Sequence, residues 1–561
     1  MAAGAGYMRY RFVSQDPKAS VRRQELEIAA RRSHSARVVH KRHQACEALL
    51  ARALKPSSEE EHELQPVEHR GNEQAPNVPA PTSTIEKGAK DTKVSHAPET
   101  TPQLGILARR LKGNSDPFAV YAIKVSPRIN QALTFMRETV HPAIYYYPIF
   151  RRIYGHGGTS KQNNWLPAGL AKQGWDFASS SLQDEGLAFA CIASYVVNLA
   201  EFLHTSTAFN ASHLALAMIT KSSEILRRRL MKRKADQPLD KLLISHVYWL
   251  LRANVYLTDS VAVESHGAML SRAVIRGMAD GSVDNLIFIH AATLDSDVSA
   301  VHMKRTWFDY SWFAKICAPL WAAVEPQLPP VPPHIFEAVH PNVTNPVIRG
   351  VFMQARQQSE YAERPPPDKA WGSRTQKSLA YSWFATVSLW GLGSAMKVYQ
   401  DLRDVCGYGF ASGTLEELTQ AAIAIGLLFY VRAFGHVVLV NGVNLRDASH
   451  VLVPQMKMVI SQIFERWTVK EMKQFKDAYL WLLYLGAFYE QLSLRKPAGV
   501  PEVWFQHRLV KCALEANKAS WETLSPVLEQ FLLVSWLEPH GSSWFDTLVD
   551  DVRPLAGLWA R

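Results

Sequence analysis

The stretch DKLLISHVYWLLRANVYL, residues 240–257, decides the fold class. Ile244, Val247, Leu251 and Val255 recur at three- and four-residue spacings, which places them on one face of a helix. A half-buried strand would alternate apolar and polar residues instead. After a turn at Thr258–Asp259 the next run, SVAVESHGAMLSRAVIRGM (260–278), repeats the helical pattern. Further along, AYLWLLYLGAFYEQLSL (478–494) is apolar nearly all round, the mark of a helix at the centre of a core. The most apolar run is AAIAIGLLFYV (421–431). Arg432 stops it well short of the roughly 20 residues of a membrane span, so it reads as a buried core helix and no membrane partner is expected. Alternating β-branched runs are scarce and no fixed repeat of solenoid length is evident. The expected fold class is all-α, with one large multi-helical domain.

Composition sets the boundaries. Of the 561 residues, 47% are hydrophobic and 20% charged, ample for a large core. The stretch dense in Trp, Tyr, Phe and Leu begins after NSDPF (114–118) and continues to the end, so the helical domain is placed at 113–561. That length exceeds the usual size of a single core, so two lobes are expected, meeting near PPHIFEAVHPNVTNP (332–346). Residues 55–112 hold prolines at 56, 66, 76, 79, 81, 98 and 102 and almost no large apolar residues. Such a segment cannot bury enough surface to offset its ordering entropy, and is read as a disordered linker.

Residues 1–54 form a separate basic arm. From Val21 to Leu54 there is no glycine or proline, and Ile28, Ser35, Val39, Cys46 and Leu50 draw a narrow stripe on one helix face. The other faces carry Arg22, Arg23, Arg31, Arg32, Arg37, Lys41 and Arg42. The net charge of +11 points to nucleic acid, an anionic surface or an acidic partner. The N-terminus has no apolar core of a signal peptide. The sequon Asn342–Thr344 therefore carries no expectation of glycosylation.

Several constellations invite chemistry. Cys46, Cys191, Cys317, Cys406 and Cys512 are scattered with no CxxC pair, which fits free thiols and gives no zinc motif. GHGGTSK (155–161) lacks the Gly-Lys-Ser/Thr ending that converges a lysine and backbone amides on phosphate, and no GxSxG elbow accompanies it. It reads as a surface loop. Asp295 and Asp297 in LDSDVS, and Asp550 and Asp551 in DDVRP, lack the DDxxD spacing that would set carboxylates around a magnesium ion. They read as solvated helix ends. His34, His40 and His43 stand among Arg37, Lys41 and Arg42, which repel a metal cation. No metal, cofactor or catalytic residue is expected.

The DNA question is sharper. Ala29, Ala30 and Ser33 match the middle of a basic-zipper motif, but Leu26 stands where the base-reading asparagine belongs and His34 where an arginine belongs. Leucine cannot pair with a base edge. Phosphate contact needs only clustered positive charge. The arm therefore reads as a solvated basic helix, an import signal or a phosphate-binding patch. A second basic run, Arg227, Arg228, Arg229, Lys232, Arg233 and Lys234, closes a helix that begins near Ser212, where cations also suit the macrodipole.

The chain resembles the fungal-specific transcription factor family, regulators with a large all-α middle-homology domain. FVSQDP followed by RRSHSARVVHKR is similar to the N-terminus of members that lack a zinc cluster. SDPFAVYAIKVSPRINQALTFMRETVHPAIY resembles the family's "DPF" opening and first long helix. LTDSVAVESHGAMLSRAVIRGMADGSV looks like its helix pair, with the glycine-rich ending loosened to Gly277 and Gly281. YLWLLYLGAFYEQ, WFQHRL and SWETLSPVLEQFLLVSW resemble its C-terminal helices. The resemblance implies a nuclear regulator of transcription, often of a metabolic or secondary-metabolite gene set. The family's six-cysteine zinc cluster has no counterpart here, so zinc and sequence-specific DNA contact do not carry over. The expected partners are DNA, held weakly through phosphates, and a protein partner or second copy of the chain bound by the helical domain. The alternative is an all-α scaffold or co-regulator that never touches DNA.

Overall fold

The computed structural model describes residues 120–141, 165–203, 208–233, 239–257, 259–327, 339–363, 374–435, 439–440, 443–444, 448–493, 503–533 and 540–556. The arm, the proline-rich segment and GHGGTSK lie outside them.

The described part is all-helical. Its helices are α1 (Pro127–Phe135), α2 (Trp165–Ser181), α3 (Glu185–Leu203), α4 (Ala208–Met231), α5 (Lys241–Tyr256), α6 (Ser260–Asp280), α7 (Asn285–His302) and α8 (Tyr310–Val324). After these come α9 (Pro346–Glu363), α10 (Arg374–Cys406), α11 (Leu415–Gly435), α12 (Ser449–Arg466), α13 (Val469–Met472), α14 (Lys476–Ser493), α15 (Trp504–Glu515), α16 (Trp521–Phe531) and α17 (Gly541–Ala556). The described residues also contain an isolated bridge residue, Ile123, and a two-residue antiparallel ladder, Leu439–Val440 with Val443–Asn444.

Aspartates start much of the N-terminal half. Asp184 accepts from Leu187 N at 3.0 Å, Asp240 from Leu243 N at 2.8 Å, Asp259 from Ala262 N at 3.0 Å and Asp284 from Ile287 N at 2.9 Å. Each satisfies an N–H that the first turn leaves without an intrahelical acceptor, and its charge suits the positive end of the helix dipole. Gly281, at φ +76°, then ends α6 in the left-handed conformation that glycine adopts without a Cβ penalty.

Helix α3 packs against α1, α4 and α5, and α5 against α6 and α7. In the C-terminal half α11 packs on α12 and α14, and α14 on α15 and α16. The long helix α10 touches α7 and α8 on one side and α9 and α11 on the other. Sequence reasoning expected two lobes around 332–346. The buried apolar side chains before and after that segment belong to one connected cluster, because α10 supplies both halves with buried surface.

Two helices show how the core is filled. In α14 every residue from Ala478 to Ala487 is buried, with Trp481 stacked on Phe531 at 5.4 Å and donating from Nε1 to Leu532 O at 3.0 Å. Gly486 lets Phe505 press against the helix where a Cβ would collide. Helix α5 buries more than the one apolar face its periodicity marks. All residues from Leu243 to Asn254 are buried, including Ser245, His246, Arg252 and Asn254. Helices α3, α4 and α6 pack around it.

Candidate functional site

The sequence-predicted basic residues divide. Arg22, Arg23, Arg31, Arg32, Arg37, Lys41, Arg42 and Lys234 lie outside the described residues. Arg227, Arg228 and Lys232 are exposed at the end of α4, and Arg229 and Arg233 are half-buried. Arg229 is not part of a free cationic face: its Nη2 donates to Asp184 Oδ2 at 2.6 Å. The run therefore presents a smaller patch than its sequence suggests.

The acidic pairs also divide. Asp550 and Asp551 are exposed near the end of α17, as a solvated helix end requires. Asp295 and Asp297 correct the same expectation. Asp295 has no exposed surface and sits in the body of α7. It accepts from Trp307 N at 2.8 Å, Phe308 N at 3.3 Å and Tyr310 Oη at 3.3 Å, so its role is to hold the turn into α8. Burial pushes its pKa up to about 7, against the lowering effect of those donors. Asp297 pairs with Arg432 of α11 at 3.0 Å. Both carboxylates are spent on joining α7 to its neighbours. Among the described residues no three His, Cys, Asp or Glu side chains come together as a metal site.

Two polar centres that sequence reasoning missed lie around α3 and α5. The first is a chain from Asp184 through Arg229 and His246 to Ser222. Arg229 Nη1 approaches His246 Nδ1 at 3.3 Å, His246 Nε2 meets Ser222 Oγ at 2.8 Å, and Ser222 Oγ donates to Gly186 O at 2.7 Å. The order resembles an acid–histidine–serine relay, but the protons run the wrong way. A guanidinium can only donate, so Nδ1 must accept and Nε2 must carry the hydrogen. His246 then donates to Ser222, and the serine's only proton goes to a carbonyl. A nucleophilic serine needs a histidine that accepts its proton. Ser222, moreover, has no exposed surface. The chain is a clamp joining α3, α4 and α5. Burial, with Arg229 beside it, lowers His246 to about 4, so it is neutral near pH 7. Burial would raise Asp184, but the Arg229 hydrogen bond and the Leu187 N–H hold it below the ordinary carboxylate value.

The second centre surrounds Tyr195. After α1 the backbone winds a π-helical turn, Met136–Val140, which delivers His141 into the core. Such turns recur at functional sites. His141 Nε2 lies 3.1 Å from Tyr195 Oη, while its Nδ1 has no hydrogen-bond partner. Burial, reinforced by Arg252 and His290, lowers its pKa to about 3. On the same tyrosine, the Arg252 guanidinium lies 5.8 Å from the ring centroid and 5.5 Å from that of Trp249. Arg252 Nη1 reaches Tyr248 Oη at 3.3 Å. No carboxylate of the described residues forms an ion pair with it. Burial pushes the nearby Cys191 thiol up to about 12, which leaves it protonated and unreactive.

The signal for both centres was present in LLISHVYWLLRANVY: a histidine and an arginine inside a run too apolar to have a solvated face. No protein-family model, curated protein or solved structure matches this chain.

Proposed function

We propose that the protein is a nuclear, transcription regulator-like protein of fungal type. It acts on a metabolic or secondary-metabolite gene set through its helical domain and without a zinc cluster. The observation that carries this reading is the division of charge along the chain. Residues 22–42 concentrate Arg22, Arg23, Arg31, Arg32, Arg37, Lys41 and Arg42, and a proline-rich segment separates them from an all-helical body. The arm supplies import and phosphate contact, and the body supplies protein or effector binding. A second reading, an all-α scaffold without DNA contact, is favoured by the tie of Arg229 to Asp184, which takes one cation out of the patch at the end of α4.

Chromatin mapping with a tagged full-length chain separates them. The regulator reading expects nuclear accumulation and discrete enriched loci, both reduced when Arg31, Arg32, Arg37, Lys41 and Arg42 become Ala. A cytoplasmic protein, or a nuclear one with no enriched loci, rejects it. In solution, DNA binding should be sequence-tolerant, with log K falling against log salt at a slope of about −4 to −5 if about five phosphates are neutralised. Ala at Arg31, Arg32 and Arg37 should flatten that slope.

A further inference from the structure

We propose that the folded body carries its own contact for the backbone of duplex DNA, built by Lys457, Arg508 and Lys511 around the ring of Trp504. The Arg508 guanidinium lies 4.7 Å from the centroid of Trp504 and 5.2 Å from that of Phe464, so two rings hold it in place. The ammonium of Lys457 lies 5.4 Å from the same Trp504 centroid. The charges of Arg508 and Lys457 therefore stand no farther apart than their two distances from that ring together. Lys511 follows Arg508 by one turn of α15, which makes the two side chains neighbours on the helix surface, and it is exposed.

The platform is fixed from beneath. Glu490 of α14 accepts from Phe505 N at 2.9 Å and from Gln506 N at 3.0 Å, and Phe505 presses against Gly486. The start of α15, and Trp504 with it, is thereby pinned to a buried helix. A long cationic side chain loses rotamer freedom when it grips an anion, and one already held between rings loses less.

The chemistry of the contact selects the partner. A guanidinium meets a ring through its face, whereas its N–H groups lie in its plane, so the ring contacts do not use them up. Such a fork takes a phosphate or a carboxylate. The surrounding charge favours a polyanion. Helices α12 and α15 carry Lys457, Arg466, Arg508 and Lys511 against Glu465 and Glu515. By sequence, residues 494–502, which lie outside the described residues, add Arg495 and Lys496 against Glu502. A row of cations suits a strand that repeats its phosphates along its length. Trp504 serves as a seat for cations, so the contact goes to phosphates and carries no sequence readout. The proposal rests on the DNA contact of the regulator reading and adds a contact on the body to that of the arm.

The test is fluorescence anisotropy of a short labelled duplex with the full chain across a salt series. Arg508→Gln with Lys511→Gln should weaken binding about tenfold or more at low salt, and should shrink the slope of log K against log salt by about two. Arg227→Gln with Arg228→Gln removes the same charge from the end of α4 and should change the slope far less. Equal losses from the two pairs would overturn the proposal, because net charge alone would then explain them. When Arg31, Arg32, Arg37, Lys41 and Arg42 are Ala, residual binding should remain and fall further with the Arg508 and Lys511 pair. No residual binding overturns the body contact and leaves the arm's role standing, whereas the cellular location of the tagged chain decides the nuclear reading separately. If the double variant melts well below the parent, Lys511→Gln decides alone, with an expected slope loss of about one. Loss of binding to phosphatidylserine vesicles with DNA binding unchanged would overturn the proposal in favour of a lipid surface.

Discussion

Helices α5 and α14 are both buried on nearly every side, yet they are filled by different chemistry. From Ala478 to Leu485, the side chains of α14 are apolar except for the hydroxyls of Tyr479 and Tyr484 and the indole N–H of Trp481, and its neighbours Phe352 and Phe531 close on Trp481 as rings on a ring. Over a similar length α5 buries His246, Arg252 and Asn254, with Ser222 of α4 on His246, the Tyr248 hydroxyl on Arg252 and Leu250 O on Asn254. The difference teaches that burial alone does not identify a core. In α14 the burial is the stabilising term. In α5 each polar group is tolerated only while its partner stays in place.

The largest expected effect breaks the dry side. Trp481→Ala removes a ring with no exposed surface and its hydrogen bond to Leu532 O, and should cost about 4 kcal/mol in a denaturant titration. A loss under about 1 kcal/mol would mean that α14 is not packed as described. Next comes the clamp. Arg229→Met strands Asp184 and leaves His246 Nδ1 without its donor, at an expected cost of about 2 kcal/mol because the pair is only partly buried. The double variant with Asp184→Asn should recover part of that loss. Strict additivity would show that the two side chains are not coupled.

The pH dependence sharpens the contrast between α5 and α7. His246 has a pKa of about 4 in the fold against 6.5 in the unfolded chain. Between those values the unfolded chain takes up a proton that the fold refuses, so stability falls as pH drops from about 6.5 to 4. The limit is about 1.4 kcal/mol per pH unit for one proton. His141, lowered for the same reason, adds in the same sense. Asp295 works in reverse. At about 7 in the fold against 3.8 unfolded, it holds a proton that the unfolded chain has released, so its contribution falls as pH rises from 3.8 to 7. His246→Gln should flatten the acid limb of a plot of stability against pH, and Asp295→Asn should remove the opposing slope. Unchanged slopes in both variants would show that neither group titrates as described.

The smallest effect belongs to the surface. Ala at Arg227, Arg228 and Lys232 together should shift stability by no more than about 0.5 kcal/mol, since all three are exposed. A shift comparable to that of Arg229→Met would show that the end of α4 is structural throughout.

The fold class and the two most apolar helices were legible because their signals are local. AAIAIGLLFYV and AYLWLLYLGAFYEQLSL leave no face for water, and both are core helices, α11 and α14. The periodicity of α5 was read correctly as helical, while the burial of its other faces came only with the fold. Four apolar positions mark a helix without saying how many neighbours surround it. Asp295 misled for a related reason. LDSDVS looks like a solvated end, and only the return of Trp307, Phe308 and Tyr310 onto α7 shows where its donors come from. In RRRLMKRK the sequence offered no means of telling Arg229, bound to Asp184 some 45 residues away in the chain, from its exposed neighbours.

By itself the sequence determined that the chain is helical, that its aromatic part can bury a large core, and that its positive charge is concentrated in the arm and at one helix end. These follow from period, composition and charge, which are properties of neighbouring residues. Tertiary structure alone decided which polar side chains are buried, which proton each holds and which partner each lacks. Those depend on helices brought together across 40 to 100 positions, as Ser181 with Trp249 at a separation of 68 and Arg305 with Asp401 at 96. The cost of burying a charge is set by what surrounds it, not by what adjoins it in the chain. Arg252 therefore reads as one more helix-forming residue in the sequence, and as a buried guanidinium against the rings of Tyr195 and Trp249 only in the fold.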